Sequence, residues 1–279
     1  MDNRRTQMKE KLNYLNVGCG SQYHKDRVNL DMNPDCSDVV LCNLLKGIPF
    51  PNEKFEVVYH SQVLEHFPKE KAFDFMKECH RVLKNNGIIR VVVPDLENII
   101  DEYKIILNEN IKNPSKEAEA NYDWILLELY DQTVRNYSGG LMGKFLQQEK
   151  LINEQYVTDR IGYLGHSGIN ITLPILHDSN KINQLILFSK KILGYAKRGI
   201  INVFLGEKNR LGKFRLGGEP HLWMYDRYSL SRLLKEAGFI DIKIKNSFES
   251  DIPNWNLYEL DVKNGVAYAP ASLFIEAKK

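Results

Sequence analysis

Leu15-Asn16-Val17-Gly18-Cys19-Gly20-Ser21-Gln22, followed closely by Val28-Asn29-Leu30-Asp31, constrains this chain more than any other stretch. An apolar run ends in a Gly-Cys-Gly turn, and a second apolar run ends in a carboxylate. In a doubly wound sheet such a turn leaves the first strand at the ligand-binding edge, where glycine lets backbone come close to a ligand. A carboxylate closing the second strand then faces the hydroxyls of a ribose. The pair points to a nucleoside cofactor. A dinucleotide fingerprint would need a third glycine opening a helix against a pyrophosphate, and here Gln22, Tyr23 and His24 follow instead.

A nucleoside cofactor without a pyrophosphate is therefore expected, and S-adenosylmethionine is the common one. The surrounding pattern agrees with an α/β sheet. Tyr14–Cys19, Arg27–Asp31, Asp38–Cys42 and Phe55–His60 are short, rich in Val, Leu and Tyr, and bounded by turn residues. Only ten residues separate Gly20 from Asp31, too few for a helix and a strand, so the first crossover is expected to be irregular. After Pro68, the residues Ala72, Phe75, Met76, Cys79, Val82 and Leu83 recur at helical spacing, closed by Gly87. The run Ile88–Val93 reads as a buried parallel strand.

From Leu96 to Gly218 the alternation breaks into helical segments: Leu96–Asn108, Lys116–Arg135, Leu141–Ile161 and Ile182–Ala196. It resumes with a helix capped by Ser229 and closed by Gly238, then strands over Ile240–Lys245 and Leu273–Ala277. The expected division is a Rossmann-like domain of residues 1–95 and 219–279, with residues 96–218 inserted as a helical acceptor side or lid.

Bulk properties exclude some classes. No run of 18 uncharged apolar residues exists, and the charged start Met1–Lys11 lacks the apolar core of a secretory signal. Cys19, Cys36, Cys42 and Cys79 lack C-x-x-C spacing, so no zinc site is expected and free thiols in a reducing cytoplasm are. The net charge of +2 conceals nine Lys or Arg and one Glu between Lys181 and Arg215. Such a cluster suits an anionic partner such as a phosphate-bearing acceptor, or else is a solvated face. Residues 182–198 also have the amphipathic pattern of a peripheral membrane helix, or of one packed on its own domain. Nucleic acid is disfavoured by the modest net charge and by the lack of an Asp-Pro-Pro-Tyr or Asn-Pro-Pro-Tyr signature.

In order, Leu15–Gly20, Val28–Asp31, Gly47–Pro51, Phe55–Phe67, Glu78–Ile89, Val93–Leu96 and His221–Asp226 make a set. With Leu64-Glu65-His66 after the fourth strand, the set resembles class I S-adenosylmethionine-dependent methyltransferases, of the bacterial type associated with glycan biosynthesis. The resemblance spans residues 14–95 and 221–279. It implies a seven-stranded sheet whose last strand is antiparallel, with the cofactor over the C-terminal ends of the first strands. It also implies methyl transfer, with a sugar or glycan hydroxyl as the expected acceptor. A small non-sugar metabolite, or a cofactor-binding partner subunit without turnover, remains an alternative. Two departures stand out: Asn16 and Asn43 occupy positions where many relatives carry acids.

The expected cofactor residues are Asn16, Gly18, Cys19, Gly20 and Asp31, with Met32 and Leu44 as apolar neighbours of adenine, Asn43 as an amide anchor, and His60 and Ser61 after the fourth strand. A sulfonium methyl is already activated, so catalysis needs alignment of the acceptor. A hydroxyl acceptor also benefits from a base of near-neutral pKa, which directs attention to histidine. His221, where the insertion rejoins the sheet, is the first candidate and His166, in Gly165-His166-Ser167-Gly168, the second. His66 and His80 read as capping or packing residues, Glu65 as an orienter of backbone, and Asp159-Arg160 as an ion pair or a holder of substrate hydroxyls.

Overall fold

In a computed structural model, residues 13–34, 36–162 and 206–279 are described. His166, the segment 182–198 and most of the basic stretch lie outside them. Seven strands form one sheet in the order β3-β2-β1-β4-β5-β9-β6. They are β1 (Tyr14–Val17), β2 (Val28–Asp31), β3 (Val39–Leu41), β4 (Phe55–Ser61), β5 (Leu83–Pro94), β6 (Ile240–Lys245) and β9 (Ser272–Lys278). The first five pair in parallel, and β9 runs antiparallel to both β5 and β6. The chain reverses between β2 and β4 across β1, so the switch point of the sheet falls beside the glycine turn.

Strand alternation sorts side chains between two cores. Leu15, Val17, Val58, Ile89, Val91, Val93, Leu273 and Ile275 pack under α1 (Lys69–Val82) and α7 (Arg227–Glu236). The apolar stripe Ala72, Phe75, Met76, Cys79 and Val82 of α1 is the buried one, as its spacing predicts. The opposite face carries Tyr14, Val57, Tyr59, Val92 and Phe274 against Ile252, Trp255 and Leu260. On that face Arg90 is fully buried and satisfied by Asp261 at 2.6 Å, Glu276 at 2.7 Å and the carbonyls of Asn246 and Glu249. Trp255 and Tyr59 also donate to Asp261 at 2.7 Å, so the buried charges are paired and hydrogen-bonded.

Between β1 and β4, the only helix among the described residues is a single turn, Leu44–Lys46. The expected irregular first crossover is therefore what forms. Asp95 caps α2 (Leu96–Lys112) and Ser115 caps α3 (Lys116–Val134), each through a backbone N–H. The segment expected to be one helix over Leu141–Ile161 is two, α4 (Gly140–Leu146) and α5 (Glu154–Ile161). The polar run Gln147-Gln148-Glu149-Lys150 has no core to face and separates them. The turn before α4 needs glycine: a Cβ on Gly140 would fall 2.3 Å from Asp131 Oδ2. The described part of the basic stretch forms α6 (Glu207–Arg215). The last helix is capped by Asp226 rather than Ser229; Ser229 sits three residues on and closes a reciprocal capping box. A small hairpin, β7 (Val262–Lys263) and β8 (Val266–Ala267), precedes β9.

Candidate active site

The Gly-Cys-Gly turn leaves β1 in a conformation that side chains resist. Gly18 has φ +67° and Gly20 φ +52°. The amides of Gly18 and Cys19 both donate to the Leu30 carbonyl, at 2.8 and 3.0 Å, which ties the turn to β2. A Cβ on Gly18 would lie 2.5 Å from Val63 Cγ2, so this turn touches the turn that follows β4. A Cβ on Gly20 would meet nothing within 4 Å, so free space opens beside it.

Asp31 joins the two ends of this edge. Its Oδ2 accepts from Gly20 N–H and its Oδ1 from Asn33 N–H, both at 2.8 Å. Each carboxylate oxygen keeps a lone pair for a further donor, so ribose hydroxyls have acceptors here. Asn16 is buried and donates to the Gln22 carbonyl at 3.0 Å, which braces the loop after the turn. Cys19 is buried, and Met32 stands exposed with its Cε near Gly218. Asn43 caps the Leu44–Lys46 turn by accepting from Leu45 N–H, and Leu44 leans on the main core. The open turn, the carboxylate and these apolar neighbours fit a nucleoside such as that of S-adenosylmethionine.

His60 differs from the expectation. It lies within β4 rather than after it, on the face under α1, and is fully buried with its ring edge-on to Phe75 at 5.2 Å. Burial pushes its pKa down to about 3. It serves the core as a neutral ring. Ser61, at the strand end, is half-buried.

The segment around His221 stitches three elements together. His221 N–H donates to the Gln132 carbonyl of α3 at 2.9 Å. Leu222 and Trp223 donate to the Glu65 carbonyl, and Leu96 N–H donates to the Tyr225 carbonyl. Gly218, three residues before His221, touches Met32, and three extended residues span at most roughly 11 Å. His221 therefore lies within that span of Met32. It is only 6% exposed, with its ring 4.8 Å from that of His66. Burial, then His66 and Arg135, push its pKa down to about 3. That corrects the idea of a lone base near neutrality: His221 is a neutral imidazole.

His221 forms one wall of a cleft of about 220 Å³ that also includes Gln62, Glu128, Gln132, Arg160 and Ser272. Arg160 does not pair with Asp159. Its guanidinium grips Glu128 at 2.6 Å and Asn98 Oδ1 at 2.6 Å, while Asp159 accepts from Gln155. His80 packs edge-on to Phe239, a structural role as expected. Glu65 lies fully buried beside His66 and His221, with Nδ1 of His66 3.2 Å from the Pro220 carbonyl. The sequence order gave no hint of that meeting, because His66 and His221 are joined only by the return of the chain after Gly218.

Residues 15–91 match the methyltransferase domain family. No curated protein matches the chain. Among solved structures, it is similar to an S-adenosylmethionine-dependent methyltransferase from Archaeoglobus fulgidus, with 13% identity and a TM-score of 0.39 over 97% of this chain and 87% of that one. A Thermotoga maritima S-adenosylmethionine-dependent methyltransferase, described as a possible histamine N-methyltransferase, is similar at 11% identity and a TM-score of 0.38, covering 98% and 84%. One from Mesorhizobium loti is similar at 12% identity and a TM-score of 0.36, covering 96% and 91%. Likenesses this loose carry no argument here. The strand order and the Gly18–Gly20 turn with Asp31 accord with the methyltransferase domain matched over residues 15–91.

Proposed function

We propose that the chain moves a methyl group from S-adenosylmethionine to a hydroxyl of a sugar or glycan, in the cytoplasm. The observation that carries this reading is the cleft beside His221. Gln62, Gln132, Glu128, Arg160 and Ser272 offer both donors and acceptors to a polyhydroxylated ligand. The segment 96–218 supplies Glu128, Gln132 and Arg160, and so forms the acceptor side. Bound S-adenosylmethionine supplies a methyl group already activated on sulfonium. What the protein adds is alignment: the neutral His221 imidazole donates its N–H to the oxygen of the acceptor hydroxyl and holds it in line, and the hydroxyl proton leaves to solvent as the methyl transfers. The free thiols of the four cysteines accord with a reducing compartment.

The proposed acceptor carries phosphate, drawn to the basic residues between Lys181 and Arg215. In the described part of that stretch, Arg215 is committed to the Thr133 carbonyl, which leaves Lys208, Arg210 and Lys213 for this role. No helix among the described residues is long and apolar enough to cross a membrane.

The test is untargeted product analysis with a methyl-labelled donor and sugar, nucleotide-sugar and small-metabolite acceptors. Label on a sugar hydroxyl supports the reading; label confined to an amine or a non-sugar metabolite replaces it. With the acceptor in hand, His221→Gln should lower kcat by about 100-fold, the scale of a 1 Å misplacement, while leaving S-adenosylhomocysteine affinity unchanged. A wild-type kcat would return His221 to packing alone.

A further inference from the structure

Beside the cleft that His221 lines, buried Glu65 and half-buried His66 make a cluster with it that contains more than alignment requires. Glu65, His66 and His221 each bring one ligand-type atom, and these atoms lie within 4.8 Å of one another. Glu65 is 0% exposed, and neither of its carboxyl oxygens has a hydrogen-bond partner among the described residues. A carboxyl group left dry and unpaired is unfavourable, so such groups are ordinarily partnered by a donor or a cation. The Tyr225 hydroxyl, also buried and without a partner among the described residues, lies near enough to Glu65 to feel its charge.

The histidines are set as metal ligands are set. His66 Nδ1 faces the Pro220 carbonyl at 3.2 Å, so Nδ1 carries the proton and Nε2 keeps its lone pair. A ring N–H bonded to a backbone carbonyl is the usual support behind a metal-bound imidazole. His221 is fixed through its backbone to Gln132, and the Glu65 carbonyl is bonded by Leu222 and Trp223. The mounts of all three are thereby braced by backbone hydrogen bonds.

We propose that Glu65, His66 and His221 bind one divalent transition-metal ion of the zinc class, at the wall of the acceptor cleft. Two imidazoles and a carboxylate are a donor set that zinc accepts in sites with an open fourth position. Metal–ligand distances of about 2.0–2.2 Å put tetrahedral donors roughly 3.4 Å apart, so the widest pair must close by up to about 1.4 Å on binding. Binding of the ion stands apart from the acceptor proposed above. The place of the ion in the reaction rests on that proposal.

The test uses the full chain stripped with a chelator, titrated calorimetrically with zinc chloride, and with cobalt(II) as a visible-absorption probe. The expected result is one zinc per chain, a raised Tm, and tetrahedral cobalt bands. Glu65→Gln should weaken zinc by at least about tenfold, because losing a ligand costs no less than losing a supporting partner. Cys36→Ser should bind as wild type does. Should Glu65→Gln fail to fold by circular dichroism, His66→Gln and His221→Gln remove the other two ligands and read the same site. Absence of cobalt bands, or zinc affinity that survives all three substitutions, overturns the proposal and leaves a proton as the occupant of the cluster. S-adenosylhomocysteine titrations on the same samples report whether the cofactor reading stands.

Discussion

Replacing Gly18 with alanine probes the contact that joins the turns following β1 and β4. At φ +67° an L-residue costs roughly 1–2 kcal/mol over glycine. The new methyl would also sit 2.5 Å from Val63 Cγ2, against an optimum of about 3.5–4.0 Å. The turn cannot swing away without losing the bonds from Gly18 and Cys19 to the Leu30 carbonyl. Overpacking of this kind adds about 1–3 kcal/mol, so Gly18→Ala should destabilise by roughly 2–5 kcal/mol in urea unfolding. Gly20→Ala is the internal control, with a similar φ but open space, and should cost only about 1–2 kcal/mol. Adding Val63→Ala relieves the overlap but not the backbone, so the double-mutant cycle should give about 1–3 kcal/mol of coupling. Equal costs at Gly18 and Gly20, with no coupling to Val63, would refute the close approach.

Burial holds His60 neutral with a pKa near 3, below its ordinary 6.5, so the unfolded chain takes up a proton that the folded chain refuses. Its contribution is present above pH 6.5 and is lost as pH falls toward 3; His60→Leu should flatten the stability curve by on the order of 3 kcal/mol between about pH 7 and pH 4. Parallel curves for the two proteins would contradict this. Asp261→Ala removes the carboxylate shared by Arg90, Trp255 and Tyr59 and should cost about 3–5 kcal/mol in urea unfolding. A loss below about 1 kcal/mol would mean that Glu276 alone satisfies Arg90.

Most of the sheet was legible because its strands are short apolar runs with turn residues at both ends. Tyr14, Val28, Val39 and Phe55 lie at or within a residue of the expected starts. Residues 83–87 were not, since Asn86 with φ +63° and Gly87 read as a break although β5 runs through them. The Asn264-Gly265 pair, flanked by Val262 and Val266, is a strong hairpin signal, and both residues take positive φ in the turn between β7 and β8. The turn that ends β1 and its tie to Asp31 were readable because the glycines and Asp31 are close in sequence. The Glu65–His66–His221 cluster and the Arg90–Asp261–Glu276 network were not, because each is assembled by tertiary contacts between distant segments. Arg90 in particular lies in an apolar run whose two faces only the alternation of β5 separates.

Calorimetric titration with S-adenosylhomocysteine, beside NAD and with Asp31→Ala, tests the central claim most directly. The carboxylate that already accepts from Gly20 and Asn33 should also take the ribose hydroxyls. Losing charge-assisted bonds of roughly 1.5–3 kcal/mol each should weaken S-adenosylhomocysteine at least about tenfold in Asp31→Ala. NAD should not compete. A folded Asp31→Ala protein with unchanged affinity, or a wild-type protein that prefers NAD, would contradict the account.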